Sequence, residues 1–170
     1  MSGYTVTTDR VARGHQDKTM AGTTNQKASC MLLKIGEQSM LVPRNIVAEI
    51  VRQSFLTIGE DSGKGLRTFE WRGCQVPCVS TGLLGGISEG DVDENTRMVI
   101  FYGMKNTNAL PFYGFMVSEG PQLLQLGEDD IQEVKAGGLD AGELMQVDVK
   151  GNRAFIPKID YFEDSILKML

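Results

Sequence analysis

The sequence predicts an all-β protein made of small barrels, with one short helix at its C-terminus. Three observations carry that expectation. Short apolar runs recur along the chain, each bounded by a turn that carries glycine, proline or asparagine. Only the last dozen residues read as a full helix. The length of 170 residues suits two barrels of about 60–70 residues better than one large barrel.

Residues 1–29 are rich in Thr, Ser, Gly, Gln, Asn and Lys and poor in apolar side chains. They bury too little surface to offset their own ordering entropy, so they read as a disordered N-terminal tail, with the folded domain over 30–170. Cys30–Ile35 is apolar enough for a buried strand. Gly36-Glu37-Gln38 turns the chain, Ser39–Val42 returns it, and Pro43 stops it. Asn45–Arg52 is a single helical turn or a strand, because so short a run shows no decisive period. Gly59–Gly65 is a polar loop. Leu66–Trp71 and Cys74–Ser80 form a hairpin about Arg72-Gly73. Thr81–Leu84 reads as a helical turn and Ile87–Asn95 as an acidic loop.

Met98–Tyr102, Leu110–Val117 and Gln122–Leu126 are further strands, and Gly127–Val134 is an acidic helical turn before the Gly137-Gly138 loop. In Leu144–Val149, Met145, Val147 and Val149 alternate with Gln146 and Asp148, as in a half-buried strand. Lys150-Gly151-Asn152 is a hairpin turn, and Arg153–Ile159 returns from it. Asp160 is the expected N-cap of a closing helix over Tyr161–Leu170, since its carboxylate can accept from the first free N–H groups.

The formal net charge is −5. The first 29 residues carry a net +2, so the body carries −7. An acidic body repels phosphate backbones and argues against nucleic acid as the main partner. No apolar run approaches the roughly 20 residues that span a bilayer, so no membrane insertion is expected. The opening residues lack the apolar stretch of a secretory signal, and the expected compartment is the cytoplasm. Cys74 and Cys78 would lie about 13 Å apart in an extended strand, too far for a disulfide. The three cysteines read as buried thiols.

Several motifs imitate catalytic or metal sites. Gly86-Ile87-Ser88-Glu89-Gly90 has the nucleophile-elbow spacing, but it follows a Gly-Gly turn, and the only histidine, His15, lies in the tail. Gly59–Gly65 is one residue short of a phosphate loop and lacks its Ser or Thr. Asp91-Val92-Asp93-Glu94-Asn95 opens like a calcium loop, but Thr96 and Tyr102 stand where Gly and Glu are needed. Glu128-Asp129-Asp130 reads as acidic charge at the start of a short helix. No residue is assigned a catalytic, cofactor-binding or metal-binding role.

What remains is an interaction surface. On Leu66–Trp71, Phe69 and Trp71 share one face, and Glu70 and Arg72 the other. Strand physics alone favours Phe69 and Trp71 in a core, with Glu70 and Arg72 a solvent pair worth little. The competing reading makes Arg72 an anchor in a protein interface, where Arg and Trp are enriched.

Val47-Ala48-Glu49-Ile50, Trp71-Arg72-Gly73 with Val76-Pro77 and Val79 behind it, and Gly85-Gly86 together resemble the CheW family of chemosensory adaptors. The later strand pair, the acidic turn through Ile131 and the final hairpin with its helix fit too, so the likeness spans nearly all of 30–170. The Trp-Arg-Gly form with Val-Ser after the proline looks nearest to the ChpC branch, which serves chemosensory control of type IV pili and twitching motility. The resemblance implies a CheW-like fold of two intertwined five-stranded SH3-like barrels, no catalytic activity and no cofactor. It also implies a bridge between the cytoplasmic tip of a methyl-accepting chemoreceptor and the regulatory domain of a CheA-type histidine kinase, recruited to membrane-associated receptor arrays. By match, Val47 and Glu49 fall at partner-contacting positions, Arg72 and Gly73 on the family's Asn-Leu-Arg-Gly turn with Trp71 before them, and Pro77 on the family proline. Glu70-Trp71 replaces Asn-Leu, Ser80 replaces an Asp, and Val117-Ser118 replaces Val-Asp, departures that point to a specialised or accessory partner. Without the resemblance, the residues leave open a small enzyme or a nucleic-acid- or ligand-binding β-barrel.

Overall fold

Alternate residues of the first strand face two different cores. Met31, Leu33 and Ile35 enter one apolar cluster, while Cys30 and Leu32 enter another. A strand whose neighbours point to opposite faces can serve two cores only if both faces are covered, which the double-barrel architecture provides. The structure, a computed structural model, describes residues 26–60, 63, 66–79, 93–135 and 137–170. The strands are β1 (Ala28–Ile35), β2 (Gln38–Pro43), β3 (Val47–Arg52), β4 (Leu66–Trp71), β5 (Cys74–Val79), β6 (Arg97–Tyr102), β7 (Phe112–Val117), β8 (Gln122–Leu126), β9 (Ile131–Glu133), β10 (Glu143–Val149) and β11 (Asn152–Pro157). One helix, α1 (Ile159–Met169), closes the chain.

The strands form a six-stranded sheet ordered β8-β1-β2-β11-β10-β9 and a five-stranded sheet ordered β3-β6-β7-β5-β4. Both ends of the chain build the first sheet and its middle builds the second, so the two halves are intertwined. β8 and β9 lie at opposite edges of the first sheet yet are joined by only residues 127–130, which requires the sheet to curl into a barrel. In the second half, the segment between β3 and β4 is tied back to β4 by an Ile58–Phe69 bridge and by Gly59 N–H donating to Thr68 O.

Cys30, Leu41, Leu126, Val147, Val149 and Ala154 fill the first barrel. Phe69, Val76, Cys78, Met98 and Ile100 fill the second. The third and largest cluster joins the halves, with Leu33, Ile35 and Phe155 from one and Val99, Phe101 and Phe115 from the other. Gly114 of β7 is small for a reason: a Cβ there would sit 2.9 Å from the Phe69 ring, which crosses the lumen.

The differences from expectation have local causes. The first sheet has six strands rather than five, because Ile131–Glu133 pairs with β10 as β9. The acidic helical turn is confined to Glu128–Asp130, where the Asp130 carboxylate accepts from Gly127 N–H and closes a tight 3-10 turn. The first strand begins at Ala28 rather than Cys30, since Ala28 and Ser29 pair with Leu126 and Gln125 of β8. Residues 1–25 of the expected tail, the 81–84 turn and most of the acidic loop lie outside the described residues. Between Asn45 and Arg52 both readings contribute: a 3-10 turn over Arg44–Ile46 runs into β3.

Asp160 does not cap α1. The N-cap is Lys158, without a side-chain cap, and Asp160 sits in the first turn, where its charge suits the positive end of the helix. Lys158 N–H donates to Gly142 O, which fixes the helix start two residues earlier. Phe162 and Ile166 bury the inner face of α1. Beside them lies a fully buried carboxylate, Glu163. Its oxygens accept from Met104 N–H at 2.8 Å and Lys105 N–H at 2.7 Å.

Tyr113 is buried, and its hydroxyl completes no hydrogen bond. Burial first, and the charge and proximity of Glu163 second, push its ionisation far above the ordinary phenol range. A raised folded-state pKa leaves stability intact below the unfolded value of about 10 and erodes it as pH rises beyond that. Urea denaturation between pH 9 and 11 should therefore show stability falling by up to about 1.4 kcal/mol per pH unit from this one group. The Tyr113→Phe variant is expected to remove that part of the alkaline slope at little cost at pH 7. Identical slopes in the two proteins would refute the assignment.

Candidate functional site

The β4–β5 hairpin turns through Arg72 at φ 49° and Gly73 at φ 76°. Two positive φ values in a two-residue loop match the right-handed twist of the flanking strands. A glycine takes such a conformation freely, whereas for an L side chain it costs about 1–2 kcal/mol. Arg72 thus occupies a strained turn position and projects its side chain from the hairpin tip.

That side chain is held from two directions. Its guanidinium lies 4.9 Å from the centre of the Trp71 ring. Its Nη2 is 2.9 Å from Glu49 Oε2, and the Trp71 indole N–H donates to the same oxygen at 3.0 Å. β3 and β4 are the two outer strands of their sheet, so this shared carboxylate joins its two ends. A bulge between Val47 and Glu49 sets the register of β3 there. Arg72 remains 71% exposed and Glu49 35%.

An aromatic surface continues from the hairpin. Trp71 meets Phe112 edge-on with centroids 5.0 Å apart, and Phe112 meets Tyr102, its cross-strand partner, at 5.8 Å. Trp71 and Phe112 are half-buried and Tyr102 is exposed. Such rings bring large contact area at low entropic cost.

Of the residues expected at a partner surface, the structure brings Glu49, Trp71, Arg72 and Gly73 together. It does not bring Val47 or Pro77: both side chains are buried, Val47 in the core between the halves and Pro77 within β5. The partner of Arg72 is Glu49, not Glu70, because the positive-φ turn swings Arg72 out of the strand's alternation and over Trp71. Trp71 is neither wholly core nor wholly surface: its ring packs on the barrel interior while its N–H reaches Glu49. Sequence reasoning missed Phe112 and Tyr102. The available signal was their place in line with the lumen residues, since Met98, Ile100 and Tyr102 share one face of β6.

Cys30 and Cys78 are buried as expected, but Cys74 is exposed, because it stands beside the hairpin turn opposite Trp71. Burial pushes the Cys30 thiol up. A thiol reagent should therefore modify one cysteine rapidly in the native protein and three in denaturant, with Cys74→Ser abolishing the fast phase. Asp93 Oδ1 accepts from Asn95 N–H and Thr96 N–H in a local turn, while Asp91 and Val92 of that motif lie outside the described residues. The Gly86–Gly90 motif and Gly85-Gly86 lie outside the described residues. Among the described residues no helix is long and apolar enough to cross a membrane, and no His, Cys, Asp and Glu group is arranged to hold a metal ion.

No curated protein matches the sequence. Fourteen solved chains do match. One is the scaffolding protein TtCheW from Thermoanaerobacter tengcongensis, with a TM-score of 0.61 at 14% identity, over 78% of this chain and 89% of that one. At that identity the likeness speaks for the fold alone, and it agrees with the two intertwined barrel-like halves and closing helix described above. The family model of the CheW-like domain matches residues 29–160, from the second residue of β1 into the first turn of α1. With that match covering most of its length and both halves of its fold, the chain belongs to the CheW-like domain family.

Proposed function

We propose that this chain is a non-catalytic chemosensory scaffold that couples the cytoplasmic tip of a methyl-accepting receptor to the regulatory domain of a CheA-type histidine kinase. It acts in the cytoplasm, recruited to receptor arrays. The face around Arg72 is one of its docking surfaces. The observation that carries this reading is an exposed guanidinium held in place by Glu49 and the Trp71 ring, beside an aromatic surface. Arg and Trp anchors, ordered before binding, lose little entropy when a partner arrives. Membership of the CheW-like family and the fold shared with a scaffolding protein support the same reading. Glu70-Trp71 in place of the Asn-Leu of typical relatives favours a ChpC-type system, in which the kinase governs type IV pili and twitching motility.

The test separates binding from folding. An exposed ion pair contributes at most about 1 kcal/mol, so Arg72→Ala is expected to leave the urea midpoint nearly unchanged. In a pull-down and titration against a CheA-type regulatory domain, the same variant is expected to bind at least about tenfold more weakly. Unchanged affinity for Arg72→Ala, or no binding by the wild-type chain to any such kinase, would sink the proposal.

A further inference from the structure

Strand β8 is the outermost strand of the six-stranded sheet and is bonded to β1 on one side only. On its other side none of its backbone groups has a partner among the described residues. Natural proteins blunt such an edge with a charge, a proline or a bulge within the strand. β8 has none of these. It reads Gln122-Leu123-Leu124-Gln125-Leu126 and keeps continuous register with β1 over all five residues, with Pro121 outside it. Leu124 and Leu126 turn into the barrel. Leu123 stays 58% exposed on the other face, next to exposed Gln125.

The charge beyond the C-terminal end of this edge is acidic, whereas at its other end Glu119 is already paired with Lys34 at 2.7 Å. Glu128 and Asp129 are exposed just beyond its C-terminal end. From Glu119 to Asp148 the chain carries eight acidic residues and one basic residue, Lys135. A second copy is a poor occupant, because β8 itself carries no basic residue to set against Glu128 and Asp129 of the other copy. A strand with basic residues is the complementary one.

We propose that the outer edge of β8 accepts an extended segment of a partner protein as an added antiparallel strand. The segment is uncharged where it runs beside Leu123–Gln125 and basic at its N-terminal end, where it passes Glu128 and Asp129. Addition to an open sheet edge draws affinity from main-chain hydrogen bonds and direction from the flanking charges. This surface belongs to the six-stranded half and is independent of the Arg72 face, so either proposal can fail without the other.

The probe is a fluorescein-labelled peptide, Lys-Lys-Thr-Val-Thr-Val-Thr, titrated into the full chain by anisotropy. It is compared with the same peptide led by Glu-Glu and with one carrying its lysines at the C-terminal end. The lysine-led peptide is expected to bind about tenfold more tightly than the glutamate-led one at low salt. The Glu128→Lys, Asp129→Lys double variant is expected to reverse that order. Leu123→Lys, at an exposed position, is expected to weaken binding with an unchanged circular dichroism spectrum. Hydrogen exchange of the β8 amides should slow on binding. Equal binding of the three peptides, β8 amides that exchange at the same rate with and without peptide, or a dimer of the chain that occupies β8 would overturn the proposal.

Discussion

Replacing Glu163 with alanine is expected to remove about 3–5 kcal/mol of folding stability, because a buried carboxylate that satisfies two backbone donors disappears at once. The N–H groups of Met104 and Lys105 both end on Glu163, and the carboxylate is fully enclosed where α1 meets the β6–β7 connection. With alanine there, both donors lose their acceptor at a site shielded by Phe162 and Ile166. For a chain of this length the loss corresponds to a fall in melting temperature of roughly 10 °C or more. Glu163→Gln is the informative companion. Its single carboxamide oxygen can serve one of the two donors, so it should recover part of the loss and no more. Urea midpoints for the three proteins decide the matter. A loss below about 1 kcal/mol in the alanine variant would mean that water reaches the two amides. The exposed ion pair alongside, Lys105 with Asp164 at 2.6 Å, carries no such weight, since each charge is already hydrated.

Gly103→Ala is expected to be at least as damaging, for a steric reason. A Cβ on Gly103 would lie 1.7 Å from the carbonyl oxygen of Leu110 and 2.9 Å from its carbon. These are backbone atoms, not the mobile end of a side chain, so the turn itself must open. Opening it breaks the bond from Gly103 N–H to Pro111 O and disturbs Leu110 N–H on Asn106 O. It also shifts the amides that Glu163 holds. The cost should exceed about 3 kcal/mol, among the largest effects of a single substitution. Gly120→Ala is the control, since a Cβ at Gly120 meets nothing within 4 Å and should change stability by less than about 0.5 kcal/mol. Soluble yield and urea midpoint compare the two directly; a Gly103→Ala protein as stable as Gly120→Ala would show that the turn adapts without strain.

Both positions matter to the proposed function because of where the turn sits. It begins one residue after Tyr102 and ends two residues before Phe112, the pair that extends the surface from Trp71. Helix docking and the geometry of the aromatic face thus share one support. Arg72 lies outside that support, so its substitution should separate binding from stability, whereas Glu163 and Gly103 should not.

Much of the molecule was legible in the sequence. Period-two alternation and turn residues located the strands from Ser39 to Val42, Leu66 to Trp71, Met98 to Tyr102 and Leu144 to Val149, because those signals are local. Arg72-Gly73 and Lys150-Gly151 were readable as hairpin turns for the same reason, and the structure gives both pairs positive φ. The motif around Arg72 drew attention to the surface on which Glu49, Trp71, Arg72 and Gly73 meet.

Distance along the chain hid the rest. Glu49 and Trp71 are 22 residues apart, and no pattern in either strand says that curling the sheet brings its outer strands together on one carboxylate. Val47 and Pro77 read as surface residues by their neighbours in the motif, yet packing between and within the barrels buries them. Nothing in the closing helix singled out Glu163, and only the approach of a turn 58 residues earlier makes it a buried acceptor. The sequence by itself determined most of the strands and their turns, since each rests on neighbours within a few residues, and its motifs along 30–170 pointed to the family. Tertiary structure alone decided which of those residues share a surface and which charges are buried, because both depend on how two sheets curl and pack against each other.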